Sequence, residues 1–103
     1  MEPERKFNDD MKEIYTRAKK ECKYTATRFL QMLGEKGGLQ TAKSLILKDG
    51  GTEGFTKLWE LRRLDLSVEA LVLKEEYKEL FSEYERSTCR DRLIKYGYKT
   101  DYA

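Results

Sequence analysis

"GFTKLWELRRLDLSVEALVL", residues 54–73, is the least polar stretch of this chain, and its periodicity decides the fold class. Phe55, Leu58 and Trp59 recur at helical spacing. Leu64, Leu66, Val68, Ala70 and Val72 instead nearly alternate with Asp65, Ser67, Glu69 and Leu71, as a half-buried strand does. Two details favour helix from residue 68. Ser67 is suited to cap a helix N-terminus, and Leu66 before it is placed to staple to Leu71. In a helix, Val68, Leu71 and Val72 then share one face. The stretch predicts helix from residue 68 with 64–66 as an extended lead-in; strand over 64–72 is the alternative. Phe55, Leu58, Trp59, Leu64, Leu66, Leu71 and Val72 read as core, leaving Glu60, Arg62 and Arg63 free to act.

The flanking segments carry the same helical period. Phe7, Met11, Ile14, Tyr15, Ala18 and Cys22 predict a first helix over about 9–22, capped by Asn8, with Asp9 and Asp10 at the positive end of its dipole. Ala26, Phe29, Leu30 and Leu33 predict a second, capped by Thr25 and ended by Gly34, Gly37 and Gly38. Leu39, Ala42, Leu45 and Ile46 give a third. "KDGGTEG" reads as a loop over about 48–53. Tyr77, Leu80, Phe81 and Tyr84 continue the apolar contacts. Ser82 and Glu85 form a capping box that opens a last helix with Cys89, Leu93 and Tyr96 on its face and Gly97 as its stop. The fold expected is all-α, a compact bundle of five or six short helices in one domain over residues 1–103, with 1–7 and 98–103 as loose ends.

Composition sets further bounds. In 103 residues, apolar and charged side chains each make up 39%, which suits amphipathic helices with solvated outer faces and is too apolar and periodic for a disordered chain. The net charge is +2, so attraction to a polyanion must come from a local patch. The N-terminus lacks the apolar core of a signal peptide and no run is long enough to span a membrane, so a cytoplasmic protein is expected, with Cys22 and Cys89 as reduced, buried thiols.

The motif G-F-T-x-L-W-E followed by R-L-D-L-[ST]-V-E-A-L-V-L, with "TRFLQMLGEKGGLQTAKSLI" and "LFSEYERSTCRDRL", resembles a widespread family of small bacterial helical proteins. The same module occurs attached to nuclease domains of the GIY-YIG type. The similarity runs from about Tyr24 to Tyr98 and is carried by Gly54, Phe55, Thr56, Leu58, Trp59, Glu60, Arg63, Leu64, Asp65, Leu66, Ser67, Val68 and Glu69. One departure is Arg62, where the motif has Gly, so the turn after Trp59 is expected to differ. The resemblance implies a stand-alone accessory module and carries over no catalytic residue.

Chemistry-bearing patterns are few. The chain has no histidine, which removes Ser-His-Asp and Cys-His catalysis and most zinc sites. No glycine loop has the phosphate-cradling form. Asp65 with Glu76-Tyr77-Lys78 loosely resembles a magnesium-nuclease arrangement, but that arrangement needs adjacent strands, and surface charge is the simpler reading. No catalytic residue, metal or cofactor is therefore expected.

Two binding patterns remain. Residues 25–47 have a helix–turn–helix outline in which Gln40, Thr41, Lys43 and Ser44 face outward, able to address bases or phosphates. The densest basic run is beside it: Arg17, Lys19, Lys20, Lys23 and Arg28. Trp59 with Arg62 and Arg63 is the other. A guanidinium stacked on the indole would make a recognition spot, against a core Trp with rim arginines, one paired to Glu60. Asp65 is placed to pair with Arg63 or to help cap the next helix. Seven tyrosines, Tyr15, Tyr24, Tyr77, Tyr84, Tyr96, Tyr98 and Tyr102, also suit a protein interface, with three of them near the C-terminus. The leading expectation is a non-enzymatic module that binds DNA or RNA. The alternative is an adaptor or inhibitor of a larger nucleic-acid-acting enzyme, in phage defence or counter-defence.

Overall fold

The computed structural model describes residues 2–48 and 52–98. They form five α-helices joined by two 3-10 turns, with no strand among the described residues. The opening stretch thus resolves as helix, and the all-α expectation holds. Two of the helices are long rather than short. α1 spans Glu2–Cys22 and α2 spans Thr27–Ile46, and these two form the most extensive helix pair.

α1 begins seven residues before its expected start, so residues 2–7 are not a loose end. Glu2 and Glu4 complement the dipole in the first turn, and Lys6 pairs with Glu76. Phe7 is fully buried, edge-on to Tyr77 at 5.0 Å and to Phe81 at 5.2 Å. Burial of that ring holds the added turns. Asn8 lies inside the helix and caps nothing; its Oδ1 accepts a hydrogen bond from Gly38 N at 2.7 Å.

α2 is two helical segments meeting at a kink. Gly37 has φ 79° and ψ 170°, a conformation open essentially to glycine alone. The kink frees the next amide, and Asn8 takes it. Thr25 does not cap this helix: Ala26 precedes it and supplies no side-chain hydrogen bond.

α3 spans Glu53–Glu60, and Thr52 caps it by accepting from Phe55 N at 3.1 Å. Glu53 therefore belongs to the helix rather than to the expected loop, while Asp49, Gly50 and Gly51 lie outside the described residues. α3 ends in a left-handed turn at Arg62, φ 61°. Arg63 N donates to Leu58 O at 2.8 Å and Arg62 N to Trp59 O at 3.0 Å, the paired bonds of a Schellman cap.

Residues 64–66 are a 3-10 turn, not an extended lead-in. No neighbouring strand is there to pair with, and the backbone satisfies itself locally: Leu66 N donates to Arg63 O at 2.9 Å and Ser67 N to Leu64 O at 3.0 Å. α4 follows over Val68–Val72, with Ser67 Oγ accepting from Ala70 N at 3.1 Å. A second 3-10 turn covers Glu75–Tyr77. α5 spans Glu83–Lys95 and opens with the full capping box: Glu85 N donates to Ser82 Oγ at 3.0 Å and Ser82 N to Glu85 Oε1 at 2.8 Å. It closes at Gly97, φ 83°, by a second Schellman cap in which Tyr98 N reaches Leu93 O at 2.9 Å.

The helices enclose one continuous apolar cluster running from Phe7 to Leu93. Phe55, Leu58, Leu64, Leu66, Leu71 and Val72 are all buried in it. Trp59 is not; it is 44% exposed, because it sits about 100° round α3 from the inward Leu58. Tyr84 is 74% exposed, since the inward positions of α5 are Cys89, Arg92 and Leu93. A buried ion pair crosses this core. Arg92 Nη1 donates to Glu69 Oε2 at 2.8 Å, and its Nη2 donates to Ile46 O at 3.1 Å and Lys48 O at 2.7 Å. One guanidinium thereby satisfies carbonyls at the end of α2 and ties α2 to α4 and α5.

Candidate functional site

The structure divides the expected binding residues into four groups. Lys19, Lys20, Lys23 and Arg28 are exposed, and no ion pair holds them among the described residues. They flank the short connection between α1 and α2, so chain continuity alone brings them to one corner. Lys23, just past the end of α1, adopts φ 55°, which turns the chain sharply there. The run is not a single face, however. At about 100° per residue, Lys19 is turned about 160° from Glu21, whereas Lys20 lies beside Arg17.

Arg17 and Arg63 form the second group, and their charge is compensated. Arg17 Nε donates to Glu21 at 2.9 Å, and Arg63 Nη2 donates to the same carboxylate at 2.8 Å. Arg63 Nε also pairs with Asp65 at 3.0 Å. The two guanidinium groups, Arg17 first and Arg63 next, hold the Glu21 carboxyl well below the usual range, at about 2. Asp65, then Glu21, push Arg63 upward in turn. This chain of four alternating charges ties the end of α1 to the turn after α3. Asp65 pairs with Arg63 as its spacing suggested. Glu21 was missed, although Arg17 and Glu21 stand four residues apart on one helix, a readable ion-pair spacing.

The residues of the helix–turn–helix outline are the third group, and the structure does not assemble them as expected. Thr41 is fully buried, and its Oγ1 has no hydrogen-bond partner among the described residues. The kink at Gly37 sets the phase of the second segment so that Gly38, Thr41 and Ala42 turn inward toward α1. Lys43 is tied to Glu85 Oε1 at 2.9 Å and lies over the Phe81 ring. Gln40 is exposed, but it and Lys43 follow Gly38, which abuts Asn8 and Met11. Lys23 lies 12 residues further along the chain than Met11, about 18 Å at the helical rise. Gln40 and Lys43 therefore form no common patch with the basic corner.

Trp59 and Arg62 border a cleft of about 580 Å³ lined by Trp59, Glu60, Arg62, Leu64, Tyr96 and residues 97–98. The indole partner is Tyr96, with ring centroids 5.3 Å apart and planes at 71°. No guanidinium stacks on Trp59 among the described residues, and Glu60 pairs with neither arginine. Tyr96 is the cap residue just past the end of α5, and no local signal announces that contact.

The nuclease-like arrangement is not assembled. Asp65 pairs with Arg63, Glu76 with Lys6 and Lys78 with Glu75. The Tyr77 ring is buried, its hydroxyl donating to Asp10, and burial together with that carboxylate pushes its pKa up. Among the described residues no cluster of His, Cys, Asp and Glu has the arrangement of a metal site. No helix there is long and apolar enough to cross a membrane. Both cysteines are free; Cys89 is buried and Cys22 half-buried. Comparison with known proteins finds no match: no family model, no curated protein and no solved structure matches the chain.

Proposed function

We propose that the protein is a non-enzymatic module that binds nucleic acid through phosphate contacts at the corner between α1 and α2. One observation carries this reading: Lys19, Lys20, Lys23 and Arg28 are exposed, close in the chain and unpaired among the described residues, while Arg17 and Arg63 nearby are neutralised. Uncompensated surface cations attract a phosphodiester backbone and displace its counterions. The reading needs no base-specific contacts, which agrees with Thr41 being buried. DNA and RNA share that backbone.

The test is fluorescence anisotropy of labelled single- and double-stranded DNA and RNA at low and physiological salt. Four phosphate contacts on a duplex predict a slope of log K on log salt of about −3 to −4. Changing Lys19, Lys20, Lys23 and Arg28 together to Glu should abolish binding; retained binding places the function elsewhere.

A second reading, an adaptor for a larger nucleic-acid-acting protein, is favoured by the exposed Leu47, Trp59, Tyr84 and Ile94 side chains. A stoichiometric partner that stays bound in high salt, and is lost on Trp59→Ala, would establish it.

A further inference from the structure

We infer that the cleft between the ends of α3 and α5 binds a methylated ammonium group. Three features of the cleft converge on that chemistry. Trp59 and Tyr96 both line the cleft and meet edge to face, at 71° with centroids 5.3 Å apart, while Phe55 holds Tyr96 edge-on from another side at 5.1 Å; the two lining rings thus border the cleft at a steep angle rather than as a parallel stack. Trp59 is 44% exposed, whereas Phe7, Phe55, Tyr77 and Phe81 are buried. Aromatic faces carry negative potential, and an alkylated cation gains from them without the hydration that a bare ammonium must give up.

The charges around the cleft have the matching sign. The cleft lies where two helices end, α3 at Glu60 and α5 at Lys95, so two dipoles present their negative ends. Glu60 lines the cleft and is exposed without an ion-pair partner among the described residues. Leu64, 5% exposed, forms an apolar floor for methyl groups. Among the described residues lining the cleft, Arg62 is the one opposing charge. It comes from a left-handed turn, so replacing it with glycine removes the charge while suiting the backbone. The cleft volume of about 580 Å³ admits such a group easily.

The experiment uses the intact protein and the fluorescence of its single Trp. Tetramethylammonium, choline and a trimethyllysine peptide are titrated beside 3,3-dimethylbutanol, which has the shape of choline without its charge. Saturable quenching by the cations, about threefold to thirtyfold tighter than by the neutral alcohol, is expected. Response to choline and tetramethylammonium shows that the headgroup suffices; response to the peptide alone assigns the group to a methylated side chain. Glu60→Gln should weaken cation binding and Arg62→Gly should strengthen it, both at exposed positions where folding is preserved. Equal binding of the neutral alcohol, no saturable response to any cation, or weaker binding by Arg62→Gly would each overturn the inference. The basic corner is not involved, so loss of nucleic-acid binding in the Lys/Arg variant leaves this test untouched.

Discussion

Asn8 Oδ1 accepts a hydrogen bond from Gly38 N at 2.7 Å across the α1–α2 interface, and a Cβ on Gly38 would lie 2.9 Å from both the Cα and the Oδ1 of Asn8. This contact holds the kink of α2 against α1. Gly38→Ala must push backbone against backbone, at a cost of about 1–3 kcal/mol. Gly37→Ala meets no atom within 4 Å, yet its φ of 79° with ψ of 170° costs a side-chain-bearing residue a similar amount, about 1–3 kcal/mol. Asn8→Ala strands the Gly38 amide and costs about 1–2 kcal/mol. Urea unfolding measures all three. Asn8→Asp should recover part of the last loss, because it keeps the acceptor.

The Glu69–Arg92 pair predicts an asymmetry. Arg92→Met leaves a carboxylate buried and uncovers the Ile46 and Lys48 carbonyls, so it should cost about 3–5 kcal/mol. Glu69→Gln leaves the guanidinium its two carbonyl bonds and should cost less, about 1–3 kcal/mol. Chemical denaturation of both variants gives the order; a larger loss for Glu69→Gln would show that the carboxylate, not the guanidinium, is the hub.

Glu21 sets a pH dependence. Its folded pKa is lowered to about 2 by Arg17 and Arg63, below the ordinary value for a glutamate. A depressed carboxylate pKa means that the unfolded chain binds the proton first. The contribution of Glu21 to stability is therefore present above the ordinary glutamate pKa and is lost as pH falls from there toward 2. The side chain is on the surface, so salt should shrink the effect. Carboxyl carbon NMR should place its titration near 2, and Arg63→Ala should move it upward. A titration at the ordinary value would mean that the two ion pairs do not persist in solution.

The two thiols should differ in reactivity. Cys89 is fully buried, and burial, then the nearby Glu69, push its pKa well up; a thiolate is the reactive form. Cys22 is half-buried, with Arg63 Nη1 3.9 Å from its sulfur. Mild alkylation of the folded protein followed by mass spectrometry should label Cys22 alone, and Cys89 only after denaturant is added.

How much of this was legible depends on sequence separation. Ser67, and Ser82 with Glu85, cap helices where they were expected to, because a cap involves only the next three residues. Asn8 has the same capping chemistry but spends it on Gly38, 30 residues away, and nothing local distinguishes the two uses. The sequence pattern places Thr41 outward; the structure, with its kink at Gly37, buries it. The basic corner was visible as a run of charges. Its partial neutralisation is legible only by half: Arg17 and Glu21 stand four residues apart on one helix, but Arg63 reaches Glu21 across 42 residues. The Trp59 cleft was visible only as an indole near arginines, for its second ring, Tyr96, comes from the end of another helix.

Arg62 links the readable and unreadable parts. Glycine is the residue expected there from the sequence motif, and the observed φ of 61° is the left-handed conformation that glycine adopts freely. The Schellman bonds from Arg62 N and Arg63 N require that conformation whichever residue occupies the position. A side chain in it costs about 1–2 kcal/mol, part of which glycine returns through its greater freedom in the unfolded chain. Arg62→Gly should thus raise stability by up to about 1 kcal/mol, seen as a higher urea midpoint with an unchanged slope. Arg62→Ala keeps the strain and discards the charge, so it should leave stability nearly unchanged. If alanine stabilised as much as glycine, charge repulsion rather than backbone conformation would be the cause, and the turn after Trp59 would not be strained.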